Sequence, residues 1–320
     1  MTSAPARPSA LRVWILAARP HTLPAAVAGV AVGLGAGLAV GAAFRWDTAL
    51  GCVLVALLLQ VVANFSNDLS DHRRGADTPD RQGPTRVAAS GLVTERQLEV
   101  AIALTIGLAG IVGLYLVWVG GWVLLALGAL AIVAALAYTG GPFPYGYKAL
   151  GEVFVFVFFG LVAVAGTAYL QALRFDALFV VVAIPPGALI TAILVVNNLR
   201  DIATDTAAGK RTLAVVLGKR RTQGEFGALL GVAYVVPMLL FLATFTGWTP
   251  SGHRAPLAVL LLLPNVTLPT ANRLIVRVRD FGEPRELNLA LKGTARLSLG
   301  FSLLFAAGLA ATAITGLGGS

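Results

Sequence analysis

One cysteine, three histidines and little charge mark this 320-residue chain. With Cys52 alone, no internal disulfide can form, and its burial habit reads as a small apolar core residue. His21, His72 and His253 are too scattered for a zinc site. Charged residues make up 12% of the chain and apolar ones 57%, where a soluble domain carries roughly 25% charged residues. An ordinary soluble domain is thereby excluded. No cleavable leader is expected either: Arg7, Arg12 and Arg19 precede no short apolar core with a cleavage site.

What the chain has instead is repeated uncharged runs of about 20 residues, each long enough to cross about 30 Å of hydrocarbon as helix. They predict nine spans, near 22–43, 48–66, 97–117, 121–139, 153–173, 177–197, 226–247, 256–272 and 297–317. The expected fold is an all-α transmembrane bundle of about nine helices, one domain over 1–320, with 1–21 as an amphipathic lead-in.

The formal charge of +9 would suit nucleic acid, but its distribution does not. With nine spans, every Lys and Arg except Arg45, Arg174 and Arg254 falls on the side of the N-terminus. Cytoplasmic loops carry the excess of positive charge. The N-terminus is therefore expected inside, the C-terminus outside, and the lipid bilayer is the partner. All acidic residues except Asp47 and Asp176 lie on that same cytoplasmic side. Orientation does not require this, because carboxylates contribute little to it.

The acids gather at two helix ends. NFSNDLSDHRRGADTPD, residues 64–80, puts Asp68, Asp71, Asp77 and Asp80 directly after an uncharged run. Asn64, Asp68 and Asp71 share one face if the helix persists. A loop marked by Gly75, Pro79, Gly83 and Pro84 follows, and Thr94–Gln97 has the pattern of a capping box. At the end of the sixth span, VVNNLRDIATDTAAGKR repeats the theme, with Asn197, Asp201 and Asp205 on one face. Ionised carboxylates at i and i+4 repel, and desolvation at the membrane boundary adds to the cost. Divalent cations relieve both. Mg²⁺ takes oxygen ligands and is commonly held by one or two carboxylates together with substrate phosphates. Arg73, Arg74, Arg81 and Arg86 beside the first cluster, and Lys210 and Arg211 beside the second, can neutralise the remaining phosphate oxygens.

A diphosphate head at the rim with an apolar body among the spans describes a polyprenyl diphosphate. Departure of the diphosphate leaves an allylic cation, which aromatic faces stabilise. Residues 138–159 are rich in rings. Tyr138, Tyr147 and Lys148 in that stretch stand on the side of both acidic clusters.

Three segments resemble the UbiA superfamily of intramembrane aromatic prenyltransferases, in its 1,4-dihydroxy-2-naphthoate branch. They are NDLSDHRRGADTPDRQGPTRVAASG (67–91), YTGGPFPYGYKALGEVFVFVFFGLVAVAGTAYLQ (138–171) and NNLRDIATDTAAGKRTLAVVLG (197–218). A final helix opened by LKGTARLSL extends the resemblance over nearly the whole chain. It implies a central cavity with a lateral opening and Mg²⁺ as cofactor. It also implies transfer of a polyprenyl group to 1,4-dihydroxy-2-naphthoate with loss of carbon dioxide, giving demethylmenaquinone. By resemblance, Asn64, Asn67, Asp68 and Asp71 form the first metal and diphosphate site. Asn197, Asp201 and Asp205 form the second, with Asn198 beside them. Lys148, Lys210 and Arg211 go to diphosphate oxygens, and Asp77 belongs to the same pattern. Another acceptor such as 4-hydroxybenzoate stays open, and so does a transporter, although transporters place polar groups near the bilayer midplane.

Overall fold

A computed structural model describes residues 8–75, 83, 86–246 and 257–314. Asp77, Asp80, Arg81 and His253 lie outside the described residues. Among those described the structure is helical, with one isolated bridge between Lys148 and Arg211.

The first apolar segment is broken. Helix α1 (Ala10–Ala18) is capped by Ser9, ends at Arg19 with left-handed backbone (φ 51°), and gives way to α2 (Leu23–Ala39) across Pro20–Thr22. Then come α3 (Trp46–Arg73), α4 (Glu95–Gly120), α5 (Val123–Ala137), α6 (Gly151–Ala172) and α7 (Ala177–Arg200). A short α8 (Ile202–Ala207), α9 (Leu213–Thr246), α10 (Ala258–Asp280) and α11 (Pro284–Ala313) complete the order. Eight segments among the described residues are long and apolar enough to cross a membrane. The segment expected at 121–139 is the exception by length, because α5 has only 15 residues. Among the described residues the nine expected segments thus appear as eight spanning helices and the shorter α5.

Local signals explain several ends. Thr94 accepts from the Gln97 backbone and Gln97 returns the bond, so the capping box starts α4. Thr212 caps α9, and Gly218 (φ 74°) kinks it one turn later. Inside α6, Phe156–Val162 widens to a π turn, a feature often found beside functional sites.

Without water to drive them together, membrane helices pack through small residues that let backbones approach closely. Helix α2 does this on two faces. A Cβ on Gly29 or Gly33 would fall 2.5 or 2.6 Å from the Phe159 or Val164 carbonyl of α6, and one on Gly35 would fall 2.5 Å from Ala306 O of α11. The main core joins α2, α6, α7, α9, α10 and α11, with Phe179, Phe226, Phe301 and Phe305 fully buried. Outward faces stay apolar: Leu104, Ile111, Trp118 and Trp122 are all exposed. A soluble monomer rarely shows so continuous an apolar surface. The chain is an integral, multi-pass membrane protein.

Candidate active site

The two acidic helix ends, the C-termini of α3 and α7, open onto one cavity of about 670 Å³. Its floor and sides are apolar, formed by Val30, Leu116, Leu127, Phe158, Ile190 and their neighbours. Its rim carries Arg19, Arg86, Arg200, Lys210 and Lys292 and, among the described residues, one lining carboxylate, Asp71. Such a site attracts an anion to the rim and admits a hydrocarbon below.

Asp71 is buried, and its neighbours fix its geometry. Arg86 Nη2 donates to Oδ2 at 2.8 Å, and the Tyr147 hydroxyl donates to Oδ1 at 3.0 Å. One helical turn earlier, Asn67 lines the same wall and its Oδ1 accepts from Thr139. Asn64 also lines the cavity; its Nδ2 donates to Ala18 O and to Thr22 Oγ1, tying α3 to the break between α1 and α2.

Asp68 behaves differently from the expectation that it faces a metal. Its carboxylate accepts from the backbone N–H of Val87 at 3.0 Å and of Ala88 at 3.3 Å, and it does not line the cavity. By spacing Asp68 shares the face of Asn64 and Asp71, but its carboxylate is taken up by the 87–88 backbone rather than by the cavity. It anchors the turn that delivers Arg86 to Asp71. Arg73 points outward too, paired with Glu95 and Glu99 of α4 at the exposed surface.

At the second tip, Arg200 organises the acids. Its guanidinium donates to Asp201 Oδ1 and Oδ2 at 2.8 and 2.6 Å, to Asn197 Oδ1 at 2.8 Å, and to Asn288 Oδ1 of α11 at 2.8 Å. Asn197 and Arg200 line the cavity, with Asp201 directly behind them. Asp205 is buried on α8, 3.7 Å from Lys210 Nζ, and Lys210 reaches the cavity. Asn198 faces elsewhere, donating to Glu152 Oε1 at 2.8 Å in the protein interior.

Tyr147 joins the two tips. Its hydroxyl holds Asp71, its carbonyl accepts from Arg211 N at 3.3 Å, and Lys210 Nζ lies 5.2 Å from its ring centre. Burial first, then the Asp71 carboxylate, pushes its phenol above the ordinary value, so it remains a donor. Tyr138 faces the cavity, and burial raises its phenol likewise. Lys148 stacks over Phe143, 3.8 Å from the ring centre, and the Arg211 side chain is exposed; neither lines the cavity.

Among the described residues no three carboxylates, histidines or cysteines converge closely enough to hold a metal unaided. The donors still fit magnesium. Asn67 and Asp71 on one side and Asn197 on the other line the space for phosphates, and Asp201 and Asp205 stand just behind it; all offer hard oxygens. Magnesium commonly takes one or two carboxylates and completes its shell with phosphate and water.

Sequence reading missed Arg200, Arg19 and Lys292. Arg200 stood inside the quoted NNLRD run, as a cation in the last turn of a span, where an unpaired charge would be costly. That was the available signal.

Fold and site together define a polytopic membrane enzyme that would seat an anionic head at a cationic rim above an apolar chamber. The chain belongs to the UbiA prenyltransferase family, whose profile matches residues 26–278. It is 45% identical to the 1,4-dihydroxy-2-naphthoate octaprenyltransferase of Mycobacterium tuberculosis, covering 84% of this chain and 91% of that one. It is 36% identical to the enzyme of the same name from Escherichia coli, covering 94% and 96%. The fold is similar to that of a UbiA homolog from Archaeoglobus fulgidus bound to GPP and Mg²⁺, with TM-score 0.65 at 16% identity over 93% of this chain and 99% of that one.

Proposed function

We propose that this protein transfers a polyprenyl group from polyprenyl diphosphate to 1,4-dihydroxy-2-naphthoate, with decarboxylation, yielding demethylmenaquinone in its reduced form. The single observation that carries the reading is the meeting of both acidic helix tips at one rim, joined by Tyr147, above an apolar chamber. The relatives of the same name supply the acceptor.

Arg86, Lys210 and Arg200 place positive charge at the rim where the diphosphate leaves. Asn67, Asp71, Asn197, Asp201 and Asp205 are the residues that would hold Mg²⁺. When bound, the metal neutralises charge developing on the departing diphosphate. The allylic C–O bond breaks, and its electron pair leaves with diphosphate. Phe158, Phe159 and Tyr138 face the cavity where the cation forms, and the surrounding apolar wall excludes water. The ring carbon that bears the carboxylate attacks, forming a C–C bond. Carbon dioxide then departs and leaves its electron pair in the ring.

The protein lies in the cell membrane with its N-terminus and active site on the cytoplasmic side. This orientation rests on the distribution of Lys and Arg. Purified protein supplied with a long prenyl diphosphate, 1,4-dihydroxy-2-naphthoate and Mg²⁺ should release diphosphate and carbon dioxide in equal amounts. Prenylation of 4-hydroxybenzoate in preference to the naphthoate would overturn the acceptor assignment.

A further inference from the structure

The cationic rim has two parts, and the diphosphate accounts for one of them. Arg86 and Lys210 stand with Asp71 and Asp205, where acids, amides and cations suit a metal-bound diphosphate. The other part lies where the break between α1 and α2 meets the start of α11. Arg19, His21 and Lys292 line the cavity there, and Arg19 and Lys292 both lie within electrostatic range of the His21 ring. Among the described residues that line the cavity, the one carboxylate, Asp71, belongs to the first group.

The local structure builds this wall. Arg19 adopts left-handed backbone at the end of α1, a conformation uncommon for a residue with a side chain. Such positions concentrate at functional sites, because surrounding structure must maintain them. The bonds from Asn64 to Ala18 O and Thr22 Oγ1 do so here. Lys292 follows Asn288 by one helical turn on α11, and Asn288 is held by Arg200 at 2.8 Å. Lys292 forms no ion pair with any described residue. Below these cations the wall is Ala25 and Ala26, small enough to leave room for a flat bicyclic ring.

We infer that Arg19, His21 and Lys292 form the subsite that holds the carboxylate of the aromatic acceptor. It lines the same cavity as the diphosphate site, so that the acceptor's ring reaches toward the prenyl carbon. The inference deepens the proposed function and rests on it. Arg200, bonded both to Asn197 and to Asn288, links the second acidic tip to this wall and lies, like Arg19 and Lys292, within electrostatic range of the His21 ring.

The test is to measure KM for each substrate separately in Lys292→Gln and Arg19→Gln, with Lys292→Arg as the conservative control. 1,4-Dihydroxynaphthalene, which lacks the carboxylate, serves as a competing ligand. KM for the naphthoate should rise about tenfold or more, as expected for one lost charge-assisted hydrogen bond. KM for the prenyl diphosphate should stay within about twofold. The wild-type preference for the acid over 1,4-dihydroxynaphthalene should collapse in the Gln variants and persist in Lys292→Arg. A rise in diphosphate KM with acceptor KM unchanged would assign these cations to the diphosphate and overturn the inference. Unchanged constants for both substrates would also overturn it. A wild-type protein active on prenyl diphosphate only with an acceptor lacking a carboxylate would instead remove the acceptor reading beneath it.

Discussion

Replacing Arg200 by Met should be the most damaging single change at the second tip, and the structure indicates by how much. The guanidinium is 3% exposed and makes four hydrogen bonds, two to Asp201 and one each to Asn197 and Asn288. Each such bond to a charged group contributes about 1.5–3 kcal/mol, but bonds that share one group do not add. Removing one partner of a buried ion pair costs about 3–5 kcal/mol, because the other charge is stranded. At roughly 2 °C per kcal/mol for a chain of this length, apparent Tm should fall by about 6–10 °C. The five tryptophans give a fluorescence signal for unfolding in detergent at a fixed scan rate. The Arg200→Met/Asp201→Leu double variant should recover most of that loss, since no lone charge remains buried. Activity should stay lost in both. A single variant within about 2 °C of wild type, or a double variant no more stable than the single, would refute the ion-pair reasoning.

Further outcomes separate the rim residues by role and test the topology. Asp71→Asn should cut turnover by at least about 10²-fold, whereas Arg73→Ala should leave kcat nearly unchanged, because Arg73 pairs outward with Glu95 and Glu99. Tyr147→Phe keeps the ring beside Lys210 but removes the donor to Asp71. It should lower kcat by roughly tenfold. In the wild type Tyr147 should add no alkaline limb to the rate profile up to pH 10, because burial and Asp71 raise its phenol above 10.0. In intact cells carrying Cys52→Ala, a membrane-impermeant thiol reagent should label Arg174→Cys and spare Lys148→Cys; the reverse would invert the topology.

The helical architecture was legible because membrane spans must be long and apolar, and hydropathy reads that requirement directly. The start at Thr94 and the ends of α3 and α7 were readable from capping chemistry and acidic runs. Other features were not. Helix α1 (Ala10–Ala18) falls in the stretch read as an amphipathic lead-in, outside the expected first span, 22–43, but the left-handed break at Arg19 that sets it off from α2 carried no sequence signal. The shortness of α5 was hidden, since Tyr138 and Thr139 extend the apolar run past the helix end. At the site, residue types were visible but facing was not. Asp68 and Asp71 look equivalent in sequence, yet one anchors the 87–88 backbone and the other lines the cavity. Arg19 and Lys292 lie 273 positions apart, and no local pattern brings such residues to one wall; only the packing of α11 on α2 does.

The two helix tips gripping a single diphosphate can be observed directly with Mn²⁺ in place of Mg²⁺. Electron paramagnetic resonance of the purified protein with an unreactive thiolo analogue of a prenyl diphosphate should show about two bound Mn²⁺ ions per chain, bound only when the analogue is present. Asp71→Asn should remove one and Asp201→Asn the other. Binding of Mn²⁺ that ignores the analogue, or that survives both substitutions together, would contradict the shared site.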